Sequence, residues 1–201
     1  MDTLKSIIKE LSPLLKQIDF VKKGNDFYKI SDSTYGVVNF QKSRNSTKEE
    51  LIFTINFGVY STILGQLVDG YNSLTDPEVE QCQWRARIGA FMPGSPDYWW
   101  NVSTTDNLNN IVADVMEAVK NIIIPELNKR SSNEGLINCW INENYAGTTE
   151  IGRFKYLTTL LKAKEDFNTL NQVVETFMQQ SKGKPNASMA MEHLKEIEYS
   201  K

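Results

Sequence analysis

The feature that most constrains the fold is a period-two alternation of apolar and polar side chains in several short segments. Successive side chains of a strand point to opposite faces of a sheet, so this alternation is typical of a half-buried strand. The pattern recurs at residues 35–42 and 51–60, and it is clearest after Gln81, where Cys82, Trp84, Ala86 and Ile88 alternate with Gln83, Arg85, Arg87 and Gly89. The sequence therefore predicts a sheet with one apolar and one polar face.

Two further segments complete the predicted sheet. Residues 20–30 form two short extended pieces around the turn residues Gly24, Asn25 and Asp26, and residues 98–102 form a last short strand. We expect four or five strands that pair in sequence order as an antiparallel meander.

Helical periodicity appears before and after these strands. Apolar stripes at three-and-four spacing run from Leu4 to Ile18 and from Leu108 to Ile123. Pro13 predicts a kink in the first helix, and Pro125 predicts the end of the second. Beyond Leu127 only helical patterns remain. We predict an α+β fold: an antiparallel sheet domain (residues 1–130) with helices packed on one face, and a helical extension (residues 131–201) packed on that domain.

Charge and composition restrict the functional classes. The 201 residues carry a formal net charge of -3, which argues against nucleic acid or an anionic membrane as partner. No window approaches the roughly 20 apolar residues of a membrane span, and the charged start resembles neither a signal peptide nor an anchor. Cys82 and Cys139, the only cysteines, indicate packed, reduced thiols of a cytoplasmic protein.

The polar sheet face is the strongest candidate site. Amides and guanidinium groups together can hold a carboxylate, a phosphate or an acidic loop of a partner. Alternatively, the arginines pair with nearby acids such as Glu80 or Asp97, and the face is only solvated. The residues predicted to share it are Asn39, Gln41, Thr54, Asn56, Gln83, Arg85 and Arg87, with Lys22 at its edge.

An aromatic pair, Trp99 and Trp100, follows this stretch. Alternation predicts that one indole enters the core and the other points outward. An exposed indole beside arginines could anchor a protein partner or stack on a base. The alternative is that both indoles close the edge of the sheet and cover the core.

Catalytic patterns are sparse. The sole histidine, His193, lies in the last predicted helix, far in sequence from the predicted strands. The sequence therefore indicates no Ser/His/Asp or Cys/His catalytic arrangement around it. Cys82 lies on the predicted apolar face, a position that suits packing better than nucleophilic attack. Asp97, Asp106 and Asp114 could form a carboxylate pair only if the fold placed them side by side, and no sequence pattern indicates that it does. We expect no catalytic residue, no metal ligand and no cofactor.

Two functions remain open, with a third less favoured. The first is a non-enzymatic protein-binding or regulatory module, comparable to small immunity or adaptor proteins, that uses Asn39, Gln41, Asn56, Arg85, Arg87, Trp99 and Trp100. The second is an enzyme or a nucleotide- or phosphate-binding protein, with an anion site made of the same arginines and amides. Binding of single-stranded nucleic acid is the third, and the acidic net charge disfavours it.

Several short motifs follow one another along the chain: Phe20 with Lys22 and Lys23, Phe27-Tyr28, Val38-Asn39-Phe40-Gln41-Lys42-Ser43, Asn56-Phe57-Gly58-Val59-Tyr60, Arg85-Ala86-Arg87-Ile88-Gly89, Trp99-Trp100 and a helix ending near Pro125. In this order they resemble a bacterial family, the domain of unknown function 4304. The resemblance covers roughly the first 130 residues, and it implies the fold and a bacterial cytoplasmic setting but no activity. One departure is Asp19, where such sequences usually have glycine.

Overall fold

A computed structural model describes residues 3–71 and 74–199. Its sheet contains six strands: β1 (Val21–Lys23), β2 (Asp26–Ser31), β3 (Thr34–Lys42), β4 (Glu50–Ser61), β5 (Trp84–Arg87) and β6 (Trp100–Ser103). The helices are α1 (Thr3–Gln17), α2 (Thr62–Leu67), α3 (Leu108–Ala118), α4 (Ile124–Lys129), α5 (Asn133–Asn142), α6 (Glu150–Ala163), α7 (Phe167–Gln180) and α8 (Pro185–Glu196).

The strands pair in an antiparallel sheet, as the sequence predicts. The order is β1-β2-β3-β4-β5, and β6 departs from the meander because it returns to β4. Residues 56–59 of β4 pair with β5, and residues 50–53 pair with β6. β4 has 12 residues, and two short strands, β5 and β6, therefore pair with different parts of it.

The hydrophobic core lies on the face of the sheet that the alternation marks as apolar. Phe53, Ile55, Phe57 and Val59 of β4 are all 0% exposed. They belong to one hydrophobic cluster that also contains buried residues of α1, α3 and α5 to α8. The C-terminal helices thus share a continuous core with the sheet.

A second, smaller cluster lies on the opposite face. We call this face the outer face and define it by Asn39, Asn56 and Arg87, which are register partners across β3, β4 and β5. The smaller cluster consists of Tyr28, Val37, Tyr60, Val79 and Cys82.

The predicted position of Cys82 on the core face is wrong. Residues 79–81 form a short 3₁₀ turn, and β5 begins only at Trp84. The alternation predicted from Cys82 onward therefore does not extend through residues 82 and 83. Cys82 instead packs beside Gly58, whose register partners Val37 and Arg85 belong to the outer face.

The predicted effect of Pro125 also needs correction. α1 runs through Pro13, and the second long helix continues past Pro125 to Lys129. Before Pro125, residues Val119–Ile123 form a π-helical turn in which the Ile124 N–H donates to the Val119 carbonyl. A proline ring clashes with a regular helix and removes a backbone donor. A wider turn immediately before it gives the helix a way to continue.

The end of α1 explains the unusual residue at position 19. Asp19 has φ 68°, and the Phe20 and Asp19 N–H groups donate to the carbonyls of Leu15 and Lys16. This is the hydrogen-bond pattern of a left-handed helix cap, where glycine is preferred and Asp is tolerated. Asp19 can therefore form this turn in place of the glycine that such sequences usually have.

Candidate functional site

Strand register places the two predicted arginines on the outer face. Arg87 is the partner of Asn56 and Arg85 is the partner of Gly58, whereas Phe57 and Ala86 between them enter the core. Both guanidinium groups therefore project from the side opposite the main core.

A chain of hydrogen bonds crosses the outer face. The Asn56 amide donates to Gln41 Oε1 (2.7 Å), and Arg87 Nε donates to Asn56 Oδ1 (3.3 Å). The other end of the Arg87 guanidinium pairs with Asp97 at 2.5 Å. Three of the predicted site residues, Gln41, Asn56 and Arg87, are thus directly connected.

Trp99 lies against this chain. The Arg87 guanidinium carbon is 4.8 Å from the centre of the Trp99 ring, within the range of a cation–π contact. Hydrogen bonding from Arg87, and then from Trp99, lowers the pKa of the Asp97 carboxyl. Asp97 is therefore an ionised partner that holds Arg87 in place over a half-buried indole. We call Gln41, Asn56, Arg87, Asp97 and Trp99 the Arg87 cluster.

Asn39 belongs to a neighbouring contact. Its amide donates to Asp26 Oδ1 at 2.5 Å, and burial raises the pKa of the Asp26 carboxyl despite that hydrogen bond. Lys23, rather than the predicted Lys22, lies on this face, because Lys23 is the partner of Asp26 whereas Lys22 is the partner of the core residue Phe27. Lys23 pairs with Asp76 at 2.8 Å.

Arg85 differs from Arg87. It is exposed, and its guanidinium donates to the backbone carbonyl of Glu80. In the described part of the chain, no carboxylate lies within 4.0 Å of its nitrogen atoms. Arg87 therefore has the predicted acidic partner, whereas Arg85 keeps a positive charge that faces solvent.

Thr54 and Gln83 are not part of an accessible surface. Thr54 is 0% exposed and donates to the Tyr98 carbonyl at 2.9 Å. Gln83 is 1% exposed; its side chain accepts from the Ser61 N–H and donates to Asp69, both at 2.7 Å. Contacts with Tyr98, Ser61 and Asp69 therefore bury these two residues, which alternation alone does not reveal.

As the alternation predicts, only one of the two adjacent tryptophan side chains is buried in the core. Trp100 is 4% exposed and stacks on Phe53 at 5.2 Å between ring centres. Its indole N–H donates to Asp114 at 2.6 Å. Trp100 therefore belongs to the core side of β6, and only Trp99 contributes to the outer surface.

A buried charge cluster escaped the sequence analysis. The Arg130 side chain is 0% exposed, its guanidinium lies 3.9 Å from the Trp84 ring centre, and it pairs with Glu126 (2.8 Å) and Glu143. The spacing of Glu126 and Arg130 is that of a helical ion pair and could have suggested half of this cluster. Trp84 and Glu143 are distant in sequence, and only the fold brings them there.

His193 lies in a second buried polar cluster. Its Nε2 is 3.0 Å from the Thr158 hydroxyl, and its Nδ1 is 3.7 Å from Glu196. The carbonyls of Phe154 (2.8 Å) and Lys155 (3.2 Å) are both within hydrogen-bond distance of the Thr158 hydroxyl, which favours that hydroxyl as an acceptor from the imidazole. Burial, followed by the charge of Lys155, lowers the pKa of His193. These contacts are typical of a packed, neutral histidine.

The remaining carboxylates considered from the sequence have separate partners. Asp106 accepts from the Ser103 N–H at 2.7 Å, whereas Asp114 binds Trp100 and Asp97 binds Arg87. Within residues 3–71 and 74–199, no group of three or more His, Cys, Asp or Glu residues could hold a metal ion. None of the helices in these ranges is both long and apolar enough to cross a membrane.

Comparison with known proteins supports the family resemblance. The model of the domain of unknown function 4304 matches residues 11–129, which include all six strands and every residue of the Arg87 cluster. No curated protein and no solved structure matches the chain. The match covers more than half of the sequence, and the chain belongs to the family of the domain of unknown function 4304.

Proposed function

We propose that this protein is a non-enzymatic binding or regulatory module that contacts another protein through its outer face, in the manner of small immunity or adaptor proteins. The supporting observation is the Arg87 cluster, in which Asn56 and Asp97 hold a guanidinium 4.8 Å from a half-buried indole. Arginine and tryptophan dominate binding energy at protein interfaces. Side chains that are already held in place lose less conformational entropy when a partner binds.

The charges suggest the chemistry of the partner. Arg87 is neutralised by Asp97, whereas the exposed Arg85 lacks a carboxylate partner among the described residues. A partner surface with a carboxylate opposite Arg85 and an apolar group against Trp99 complements this face. The setting we propose is the cytoplasm of a bacterium, where the buried thiols of Cys82 and Cys139 stay reduced.

The test is capture of a partner from native extract, followed by calorimetry with the purified partner. Trp99→Ala is expected to weaken binding by about tenfold to thirtyfold, because a truncated central aromatic costs about 2 kcal/mol. Arg85→Glu is also expected to weaken binding, and the loss should grow as the salt concentration falls, because like charges then repel more strongly. Lys182→Glu, on the exposed turn after α7, is the charge-matched control. Unchanged binding by both outer-face variants would contradict the proposal.

A second candidate is an anion-binding protein or enzyme, favoured by the exposed charge of Arg85 beside Arg87. An anion that binds Arg87 must displace Asp97, so Asp97→Asn should strengthen such binding. Thermal unfolding with a panel of nucleotides and phosphates tests this function. A ligand at a hundred times its dissociation constant stabilises the folded state by about 2.7 kcal/mol. No shift for wild type or Asp97→Asn would exclude these anions.

A further inference from the structure

A groove with a volume of about 450 Å³ lies among the C-terminal helices. This volume falls in the range of small-molecule sites. All of its lining residues follow Lys129 and lie outside the family match. The groove is formed by the end of α5 and by facing sides of α6 and α7.

The floor and the rim of the groove differ in chemistry. Its floor is formed by core side chains, namely Trp140, Phe154, Leu157 and Phe177, each at most 9% exposed. On the α7 side, the rim carries uncharged hydroxyl and amide groups from Thr169, Gln172, Thr176 and Gln180. An apolar floor with a few polar rim groups suits a small, mainly apolar ligand.

One cation lines the groove. The half-buried Arg153 donates to the Trp140 carbonyl in the last turn of α5. In the described ranges, Arg153 has no carboxylate within 4.0 Å, and the nearby Glu150 accepts from the Asn186 amide at 2.8 Å. Arg153 is therefore held in position while most of its five N–H donors remain available.

We propose that this groove binds a small amphiphilic carboxylic acid, with its apolar part on the aromatic floor and its carboxylate on Arg153. A guanidinium matches a single carboxylate in a two-pronged hydrogen bond. Glu150 adds a negative charge to the same rim, which repels a dianion such as a phosphate monoester more strongly than a single carboxylate. The site does not depend on the outer face, because the two share no residue.

The test uses the full chain and three probes that share one alkyl length: decanoate, decanol and decyltrimethylammonium, each below the concentration at which micelles form. Calorimetry is expected to give the order decanoate, then decanol, then the ammonium compound. Equal affinities, or no binding by decanoate, would overturn the proposal.

Variants locate the binding. Arg153→Gln is expected to weaken decanoate binding by about tenfold and to leave decanol unchanged, because a charge-assisted hydrogen bond is lost. Thr176→Trp, at an exposed rim position, fills the groove and should abolish binding of both probes. Gln179→Trp is the matched control, because residue 179 is exposed on α7 but does not line the groove.

Three results would contradict this site. Arg153→Gln could bind decanoate as tightly as wild type, Thr176→Trp could still bind decanoate, or Gln179→Trp could lose as much affinity as Thr176→Trp. If Arg153→Gln does not fold, Thr176→Trp and its control decide the question. Trp99→Ala should leave decanoate binding unchanged, which separates this proposal from the proposed function of the outer face.

Discussion

Arg130 is the residue with the most demanding environment. Its guanidinium has no contact with solvent, and it depends on the Glu126 carboxylate at 2.8 Å, the Glu126 carbonyl at 2.9 Å, Glu143 and the face of Trp84. A buried charge is tolerated only with opposite charges and hydrogen bonds around it. These contacts tie α4 to β5 and to the residue that follows α5.

Removal of this guanidinium should be strongly destabilising. Arg130→Met leaves Glu126, which is 8% exposed, without its buried counter-charge, and the expected loss is about 3–5 kcal/mol of unfolding free energy. Lys129→Met is the control, because Lys129 also pairs with Glu126 but its side chain is 52% exposed. Its loss should stay below about 1 kcal/mol. Equilibrium unfolding in urea measures both values, and similar losses would show that Arg130 has no special role.

At the scale of elements, the pairing of β4 with β5 depends on a glycine. A Cβ at Gly58 would lie 2.7 Å from both Cys82 Cβ and the Trp84 carbonyl oxygen. A Cβ at Gly36, in β3, would find its nearest neighbour at 3.8 Å. The first strand position thus requires the absence of a side chain, whereas the second does not.

These two glycines provide a matched test of packing. Gly58→Ala is expected to destabilise the protein by about 1–3 kcal/mol, because the added methyl group overpacks the contact with Cys82 and Trp84. Gly36→Ala should be neutral or stabilising by up to about 1 kcal/mol, since alanine restricts the unfolded chain. Thermal unfolding of both variants provides the comparison. A stable Gly58→Ala variant would mean that residues 82–84 can move away from β4.

The packing of α8 on α6 should depend on pH through His193. The groups that face it are Thr158, Thr159, Lys155 and Glu196. Its pKa is lowered in the folded state, chiefly by burial, so the unfolded chain takes up the proton first as the pH falls. The stability from a neutral His193 is therefore complete above about pH 6.5, the ordinary histidine value, and decreases as the pH falls below it.

The variant His193→Gln removes this titration. Urea unfolding between pH 8 and pH 5 should show a smaller loss of stability for the variant than for wild type over the lower half of that range. Glu196 raises the pKa of His193. Glu196→Gln should therefore lose more stability than wild type as the pH falls. Parallel curves for wild type and His193→Gln would contradict a neutral buried histidine.

At the scale of the whole molecule, the described residues share one main core. The sheet and the helices after Arg130 belong to the same hydrophobic cluster, and the fully buried Trp84 and Trp140 come from these two parts of the chain. A single continuous core favours a single cooperative transition. We therefore expect the predicted sheet domain (residues 1–130) and its helical extension (residues 131–201) to unfold together.

This interpretation predicts the outcome of a truncation. A chain that ends after Ser131 would remove Tyr145 and Gly147 from Trp84 and Glu143 from Arg130, and it is expected to lose cooperative unfolding. For the full chain, far-ultraviolet circular dichroism and tryptophan fluorescence should give coincident urea transitions. A truncated chain that unfolds cooperatively would show that the family region is stable by itself.

Local patterns account for the parts of the site that the sequence could predict. Alternation placed Arg87 and Asn56 on one face and sent one of two adjacent tryptophans inward, because a strand has a side-chain period of two. The same rule failed at Cys82, where a 3₁₀ turn precedes the strand. It also could not reveal that contacts with Tyr98, Ser61 and Asp69 bury Thr54 and Gln83.

The sequence by itself determined the α+β class, the antiparallel strands, the helical character of the last third and the family, because each depends on local periodicity or on short motifs. Only the tertiary structure decided which charges are neutralised, since pairing across space depends on how distant segments meet. Asp97 reaches Arg87, Glu143 reaches Arg130, and neither acid reaches Arg85 or Arg153. Arg85 and Arg153, which have no carboxylate within 4.0 Å in the described chain, supply the positive charges that the two binding proposals use.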